Sequence, residues 1–137
     1  MALEELRNSD MMTHLLDALE AGTDIGHYGR LVVAMVGHHF ADADELVTLL
    51  TRNPGFGRDE AEALVAQVTT RKYNPPRRER ILEWQSRQDF PICPTPEDPR
   101  ACNVYRDLQF PDDVYEDIED FYEEVAEAQP ESSGNRV

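Results

Sequence analysis

Basic side chains are concentrated in one short stretch of a strongly acidic chain. The sequence has 137 residues, and its 13 lysine and arginine residues face 28 aspartate and glutamate residues, for a net charge of −15. Five of the basic residues lie within ten positions, namely Arg71, Lys72, Arg77, Arg78 and Arg80. Such a cluster either binds an anion or pairs with the chain's own carboxylates, and exposed pairs of the second kind add little stability. Composition alone leaves both alternatives open.

A second candidate site is the segment Gly26-His27-Tyr28-Gly29-Arg30 at the start of a predicted helix. Helix N-termini present free N–H groups and the positive end of the helix dipole, which suits phosphate. Arg30 could add a bidentate contact to two phosphate oxygens. The alternative is that the glycines allow close helix packing and His27 only caps the helix. Taken by itself, the segment favours this structural role over phosphate binding.

Two further pairs of residues could bind a metal, but their spacing does not favour it. His38 and His39 are adjacent and would point to different faces of a helix, so we expect one at the edge of the core and one in solvent. Cys93 and Cys102 would need two more ligands for a structural zinc site, and every histidine lies far upstream. A disulfide is possible, but cytoplasmic thiols are kept reduced, so we expect two free thiols.

The sequence contains no recognisable catalytic constellation. It lacks a nucleophile with a positioned base, a glycine-rich phosphate loop and the paired aspartates of a polymerase metal site. We therefore expect no enzymatic activity from the chain alone. It also lacks an apolar run of membrane-spanning length and a signal peptide, which predicts a cytoplasmic protein with no membrane partner.

The acidic composition has three explanations that the sequence leaves open. Lys72 is the only lysine, and a lysine-poor, carboxylate-rich surface suits a cytoplasm with very high salt, where repulsion is screened. An arginine-preferring genome and imitation of nucleic-acid phosphates are the alternatives. We favour adaptation to high salt.

The elements that must position these residues are predicted to be helices. Apolar residues recur at helical spacing in five segments, which glycine, proline and capping residues separate. The predicted helices cover about residues 10–21, about 24–40, 42 or 44 to 50, 59–70, and a segment that opens at Pro76 and includes Trp84. A chain of this length can bury about two thirds of its unfolded surface, so we expect that it needs no disulfide or metal to fold.

The C-terminal third is predicted to be less regular. Four prolines between residues 88 and 111 forbid a helix, which predicts a long irregular loop over one face. A last helix should begin at Pro111 and Asp112, and the tail after Gln129 offers nothing apolar to bury and should be disordered. The predicted fold is therefore all-α: a single compact domain of about six helices over residues 1–128, followed by a disordered tail at 129–137.

Five short motifs follow one another from about Asp10 to Tyr115. They read Met-Met-x-His-Leu-Leu-x-Ala-Leu, Gly-His-Tyr-Gly-Arg, Asn-Pro-Gly-Phe, Tyr73-Asn74-Pro75-Pro76, and Ile92-Cys93-Pro94 followed by Cys102. In this order they resemble the C-terminal iron–sulfur domain of the large subunit of archaeal and eukaryotic DNA primase. The resemblance covers most of the chain and implies a helical domain.

The chain departs from the family at the iron–sulfur cluster. About Met11 stands where the family has its first cysteine, and Arg77 or Arg78 stands where it has its second, so only Cys93 and Cys102 remain. A cubane cluster is held by four thiolates. The resemblance is thus to a degenerate form, similar to the small cluster-less accessory primase subunit of some archaea. We expect no cluster and no other cofactor.

The resemblance implies a non-catalytic role in DNA replication. In the family this domain binds template DNA, the initiating nucleoside triphosphate and the 5′ end of an RNA or DNA primer, and a small subunit joins the nucleotides. His27 and Arg30 match the family's His-x-x-Arg element, and Tyr73 matches the aromatic residue before the second cysteine. The predicted nucleotide- and primer-binding residues are His27, Arg30, Arg71, Lys72, Tyr73, Arg77, Arg78 and Arg80, and the predicted partner is the catalytic small subunit. The alternative is an acidic nucleic-acid mimic or adaptor that binds a DNA-binding protein through its last helix.

Overall fold

The computed structural model describes residues 2–116, which form helices joined by turns and one long loop. This part of the chain contains no strand, which confirms the all-α prediction. The elements are α1 (Ala2–Glu5), a 3-10 helix (Leu6–Asn8), α2 (Asp10–Glu20), α3 (Gly26–Gly37), α4 (Ala43–Leu50), α5 (Arg58–Thr70), α6 (Arg78–Gln85) and α7 (Val104–Asp107). Residues 112–116 begin a further helix where the sequence predicted one.

Local capping groups explain where several helices begin. The Ser9 hydroxyl accepts a hydrogen bond from the Met12 N–H at 3.2 Å, so α2 starts at the residue after Ser9. Asp42 and Glu45 form a capping box at the start of α4. These signals are local, and the five long helices therefore lie close to the predicted segments.

The core forms where α2, α3 and α4 meet. Leu15, Leu19, Val32 and Leu46 are completely buried. The absence of a side chain at Gly37 allows α3 to approach α4, because a Cβ atom there would lie 2.9 Å from Leu46 Cδ1.

Helix α3 lies between α5 and α6. At its C-terminal end, His38 donates from Nε2 to the Tyr73 carbonyl at 3.2 Å, just before α6. At its N-terminal end, the Gln88 side chain, just after α6, accepts from the Tyr28 N–H and donates to the Ile25 carbonyl, both at 2.8 Å. Helices α3 and α6 therefore run antiparallel.

The segment 88–111 is irregular apart from α7, as predicted for most of its length. The expectation of two free thiols is wrong, because Cys93 and Cys102 form a disulfide with Cα atoms 5.8 Å apart. The chain turns back over nine positions and brings the buried cysteines together, with Cys102 in a left-handed conformation at φ 64°. Proximity of this kind is not visible in the spacing of the cysteines.

The loop is also fixed to α6 by side chains. The Arg78 guanidinium donates to the carbonyl oxygens of Pro96, Asp98 and Ala101 at 2.7, 3.1 and 3.0 Å. Gln85 accepts a hydrogen bond from the Cys93 N–H at 2.7 Å. The disulfide and these bonds together account for an ordered loop of this length.

The remaining predictions about the C-terminus lie outside the described residues. These are the last helix beyond residue 116, the domain boundary at 128 and the disordered tail at 129–137. Within residues 2–116, each helix is too short or insufficiently apolar to cross a lipid bilayer.

Candidate functional site

One face of α3 opens to solvent between its two neighbouring helices. His27, Leu31, Met35 and His38 recur at three- and four-residue spacing and therefore share this face. His27 is exposed and the other three are half-buried. Because Leu31 and Met35 lie in the middle, the exposed face of α3 is apolar along its centre.

An aromatic cluster lies where this face meets α6. The Tyr28 and Trp84 rings are stacked, with centroids 5.5 Å apart and an interplanar angle of 19°. The His27 ring meets Tyr28 edge-on at 5.0 Å, and the Arg80 guanidinium lies 5.9 Å from the Trp84 ring centroid. The Tyr28 hydroxyl, as the largest cause, and Glu83 raise the pKa of Arg87. We call His27, Tyr28, Arg80, Trp84 and Arg87 the aromatic ledge.

A second basic region lies at the opposite end of α3, beside α5. The Gln67 amide donates to the Tyr73 hydroxyl at 3.3 Å, and Arg71 approaches the same hydroxyl. These contacts lower the pKa of Tyr73, with the Gln67 bond as the largest cause. The Tyr73 carbonyl is bonded to His38, eleven residues from His27 along α3. Eleven helical residues span roughly 16 Å, which separates the two basic regions.

These residues lie along one face of α3. The half-buried Leu31 and Met35 are in the middle, the aromatic ledge is at one end, and Arg71 with Tyr73 is at the other. We call this surface the α3 groove. Helix α5 has two sides that matter here. The side that carries Arg58 faces α4, because Arg58 approaches Asp44 at 3.7 Å. Leu64, Gln67 and Arg71 lie on the other side, which accordingly faces the α3 groove.

The start of α3 is held in place by polar groups that the sequence placed only in part. Asp24 Oδ1 accepts from the Gly26 N–H at 2.9 Å, from Asn53 Nδ2 at 3.3 Å and from Arg30 Nη1 at 3.2 Å. The Gly26 bond, as the largest cause, and the Asn53 bond lower the pKa of Asp24. A Cβ atom on Gly26, at φ 80°, would lie 2.5 to 2.7 Å from the Gln88 amide. Glycine is therefore required here by both the backbone and the packed glutamine.

The predicted site residues do not form one cluster. His27 contacts Tyr28 and Arg80 lies near Trp84, so both belong to the aromatic ledge, whereas Arg71, Lys72 and Tyr73 lie at the far end of the α3 groove. Arg30 points elsewhere: its guanidinium is paired with Asp24 and lies 4.5 Å from the Phe56 ring centroid, and its side chain is only 18% exposed.

The two remaining predicted residues differ in their surroundings. Arg78 is occupied by the three carbonyl oxygens of the disulfide loop, so its contacts hold the loop. Arg77 is half-buried at the N-cap position of α6.

The sequence did not single out Tyr28, Trp84, Arg87 or Gln88 as parts of one site. Trp84 was recognised only as an apolar helix residue, since the stacking partner Tyr28 lies 56 positions away. Helical spacing does place Arg80 and Trp84 on one side of α6, and this spacing was the signal in the sequence that could have linked them.

The donor set does not fit an iron–sulfur cluster. Cys93 and Cys102 are bonded to each other, Met11 is buried in the core, and Arg78 holds the loop. Residues 2–116 contain no group of three or more histidine, cysteine, aspartate or glutamate side chains that could hold a metal ion. The expected absence of a cofactor in the whole protein remains a prediction.

Comparisons with known proteins give no relative: no protein-family model, curated protein or solved structure matches this chain. The resemblance to the primase domain therefore rests on the motifs, and the function on the chemistry of the α3 groove.

Proposed function

We propose that this chain is a non-catalytic nucleic-acid-binding domain that resembles the C-terminal domain of the DNA primase large subunit. It binds a template strand, an initiating nucleoside triphosphate and the 5′ triphosphate end of a primer, and presents them to a separate catalytic subunit. The observation that carries this proposal is the aromatic ledge. Stacked aromatic rings flanked by arginines bind unpaired bases and phosphates together, since bases stack on rings and guanidinium groups neutralise the backbone.

The distribution of charge supports the same ligand. Arg80 and Arg87 are exposed at one end of the α3 groove and Arg71 is exposed at the other, in a chain with a net charge of −15. Acidic surroundings repel a polyanion from the rest of the surface, so nucleic acid would be steered to this groove. Arg80 on α6 and Arg87, two residues after its end, also pair with Glu83, at 3.7 and 2.9 Å. A ligand phosphate has to compete with this carboxylate for the two arginines. Binding should also weaken as salt rises, because neutralised phosphates release their counterions.

The disulfide loop supports the comparison with a degenerate iron–sulfur domain. The positions that correspond to the last two cluster ligands are cross-linked to each other. Arg78, which with Arg77 stands about where the family has its second cysteine, holds the same loop by hydrogen bonds. A covalent bond and a guanidinium can thus stabilise a segment that the family fixes with a cluster. The proposal places the protein in the cytoplasm, in complex with the catalytic small subunit.

The test is a titration of a fluorescein-labelled primer–template with a 5′ triphosphate, followed by anisotropy at fixed salt. Trp84→Ala should weaken binding by about 1 to 3 kcal/mol, because one stacking surface is lost. Arg80→Ala should weaken it by a similar amount through the lost charge-assisted contact. Arg106→Ala is the matched control, since this exposed arginine is paired with Asp107 on α7.

Equal affinities for wild type, Trp84→Ala and Arg80→Ala would contradict the proposed site. Tight binding of a basic DNA-binding protein, with no binding of nucleic acid, would favour the mimic instead.

A further inference from the structure

The disulfide and Arg78 hold the same segment of the chain from two sides. The bond between Cys93 and Cys102 joins the two ends of the segment 93–102. All three carbonyl oxygens that accept hydrogen bonds from the Arg78 guanidinium lie inside this segment. The contacts of Arg78 therefore depend on the path that the cross-link gives to the backbone.

Few other contacts attach this segment to the rest of the described chain. Residues 94–100 are all exposed, so they place no side chain in the core. The backbone hydrogen bonds from the Asp98 N–H to the Thr95 carbonyl and from the Ala101 N–H to the Asp98 carbonyl are internal to the segment. Segments with few buried contacts open locally at low cost. The cross-link and Arg78 are thus the main attachments of residues 94–101 to α6.

The backbone at Cys102 favours a change of path once the cross-link is gone. Cys102 has a left-handed conformation at φ 64°, which is costly for a residue with a side chain. Such a conformation persists where the surrounding structure enforces it. The residue before it, Ala101, supplies one of the carbonyl oxygens that Arg78 binds. Relaxation at Cys102 would therefore move an acceptor of Arg78.

We infer that the disulfide is a redox-controlled switch for Arg78, whose guanidinium binds a phosphate of the nucleic acid only after the bond is reduced. This inference rests on the proposed function for its ligand. Arg78 is half-buried and occupied in the oxidised form. Once released, its planar guanidinium can bond two phosphate oxygens at once. The sequence prediction of Arg78 as a phosphate-binding residue then applies to the reduced protein.

The reductant is a dithiol. One of its thiolates attacks a sulfur of the protein disulfide and forms a mixed disulfide, while the other cysteine leaves as a thiolate and takes up a proton. The second thiol of the reductant then attacks the mixed disulfide, releases the remaining cysteine as a thiol and closes a disulfide within the reductant. Because Cys93 and Cys102 are buried, this exchange follows local opening of the exposed segment. Disulfides in the cytoplasm are usually transient or redox-sensing, which agrees with the proposed location.

Labelling with phenylglyoxal tests the release of Arg78 without nucleic acid. The reagent modifies accessible guanidinium groups, and mass spectrometry of the peptides measures each arginine separately. Arg78 should react several times faster after reduction with dithiothreitol than in the oxidised protein. A variant with both Cys93→Ser and Cys102→Ser should react at the fast rate without reductant. Arg58, exposed on α5, is the internal control and should react equally in all forms. Equally slow labelling of Arg78 in all forms would overturn the switch.

The second experiment measures binding of fluorescein-labelled oligothymidylate by anisotropy over a range of salt concentrations. Reduced wild type should bind roughly fivefold more tightly than oxidised wild type, the scale of one exposed charge-assisted contact. Its logarithmic salt dependence should be steeper by about 0.7, the value for one more phosphate on a single strand. Arg78→Gln should show neither change on reduction. Arg58→Gln removes the same charge elsewhere and should respond to reduction like wild type.

The two experiments separate failure of the switch from failure of the proposed function. Equal affinity and salt dependence of oxidised and reduced wild type would overturn the switch and leave the proposed function intact. A change on reduction that Arg78→Gln shares with wild type would also overturn it, since Arg78 would not be its cause. If neither form binds oligothymidylate, the proposed function fails. Faster labelling of Arg78 on reduction would then still support its release, and unchanged labelling would refute it.

Discussion

At the level of single residues, the charge of a side chain does not decide whether it can meet a ligand. Arg78 and Arg80 are two positions apart on α6, yet Arg78 binds three loop carbonyls whereas Arg80 lies exposed over Trp84. The planar guanidinium can bond several acceptors at once, which suits the loop as well as it suits phosphate. The sequence does not distinguish these two roles, and the fold decides which arginine bonds the loop and which remains exposed to a ligand.

His39 shows how the surroundings of a residue can oppose its ionisation. The ring lies 3.9 Å from the His38 ring, and its Nε2 atom is buried without a hydrogen-bond partner among the described residues. Burial, with the neighbouring His38 as a second cause, lowers the pKa of His39 from 6.5 to about 4, although Asp113 acts in the opposite direction. The sequence prediction of one core-edge and one solvent histidine is wrong, because α3 ends at Gly37 and both rings are half-buried.

This lowered pKa predicts that the protein loses stability on mild acidification. Between pH 6.5 and 4 the unfolded state binds a proton at His39 and the folded state does not, so the free energy of unfolding falls as the pH decreases. The expected loss is on the order of 1 to 2 kcal/mol, less than the full linkage value because the ring is partly exposed. Urea unfolding of wild type and His39→Leu at pH 7.5 and 4.5 measures it.

The leucine variant should show a smaller decrease across this range. His27→Gln is the control, since His27 is exposed, and it should behave like wild type. Parallel pH profiles for wild type and His39→Leu would contradict the assignment to His39.

At the level of elements, α3 depends on a residue that follows α6. The Gln88 side chain accepts from the Tyr28 N–H and donates to the carbonyls of Ile25 and Phe90. The N-terminus of a helix has N–H groups without partners in the helix, and a distant side chain satisfies one of them here. Gln88 thereby also fixes the distance between Tyr28 and Trp84.

Gln88→Ala should therefore destabilise the protein by about 1 to 3 kcal/mol, because the Tyr28 N–H and the Ile25 carbonyl lose their partners. It should also weaken oligonucleotide binding beyond this loss of stability, since α3 and α6 are no longer aligned. Thermal unfolding and anisotropy on the same preparations test both effects. Gln67→Ala, whose amide reaches only the exposed Tyr73 hydroxyl, should change stability little. A Gln88→Ala protein as stable as wild type would show that the bridge is dispensable.

The elements also show what sequence patterns can predict. The five longer helices, α2 to α6, were recognised because periodicity, caps and breakers act within a few residues. Helices α1 and α7 were missed because four residues are too few for a periodic pattern. Sequence patterns indicate less about the candidate site: His27 and Arg80 were named, but the contact of Tyr28 with Trp84 depends on how two helices align. The disulfide was not predicted for the same reason.

At the level of the whole molecule, the disulfide changes the expected behaviour under reducing conditions. It links positions nine apart in a loop that connects α6 to the C-terminal helix. Closing a loop of this size stabilises a fold by about 2 to 3 kcal/mol through the unfolded chain. Reduction with dithiothreitol, and the double change of Cys93 and Cys102 to Ser, should each lower the free energy of unfolding by this amount.

Chemical denaturation with and without reductant measures the effect. The double serine variant should not respond to reductant, which provides the control. Equal stability of oxidised and reduced wild type would mean that the Arg78 and Gln85 contacts hold the loop unaided. Disulfides are rare in the cytoplasm outside hyperthermophiles, so the redox state of Cys93 and Cys102 in cells also tests the proposed cytoplasmic location.

The cross-link makes residues 93–102 a closed ring within the chain. Proteolysis of one peptide bond between Pro94 and Ala101 would leave both fragments covalently attached, and they would separate on a denaturing gel only after reduction. Glu97 lies exposed near the middle of this ring. Residues 94–101 are thus a position where the backbone can be opened, or a tag inserted, while the polypeptide remains one molecule.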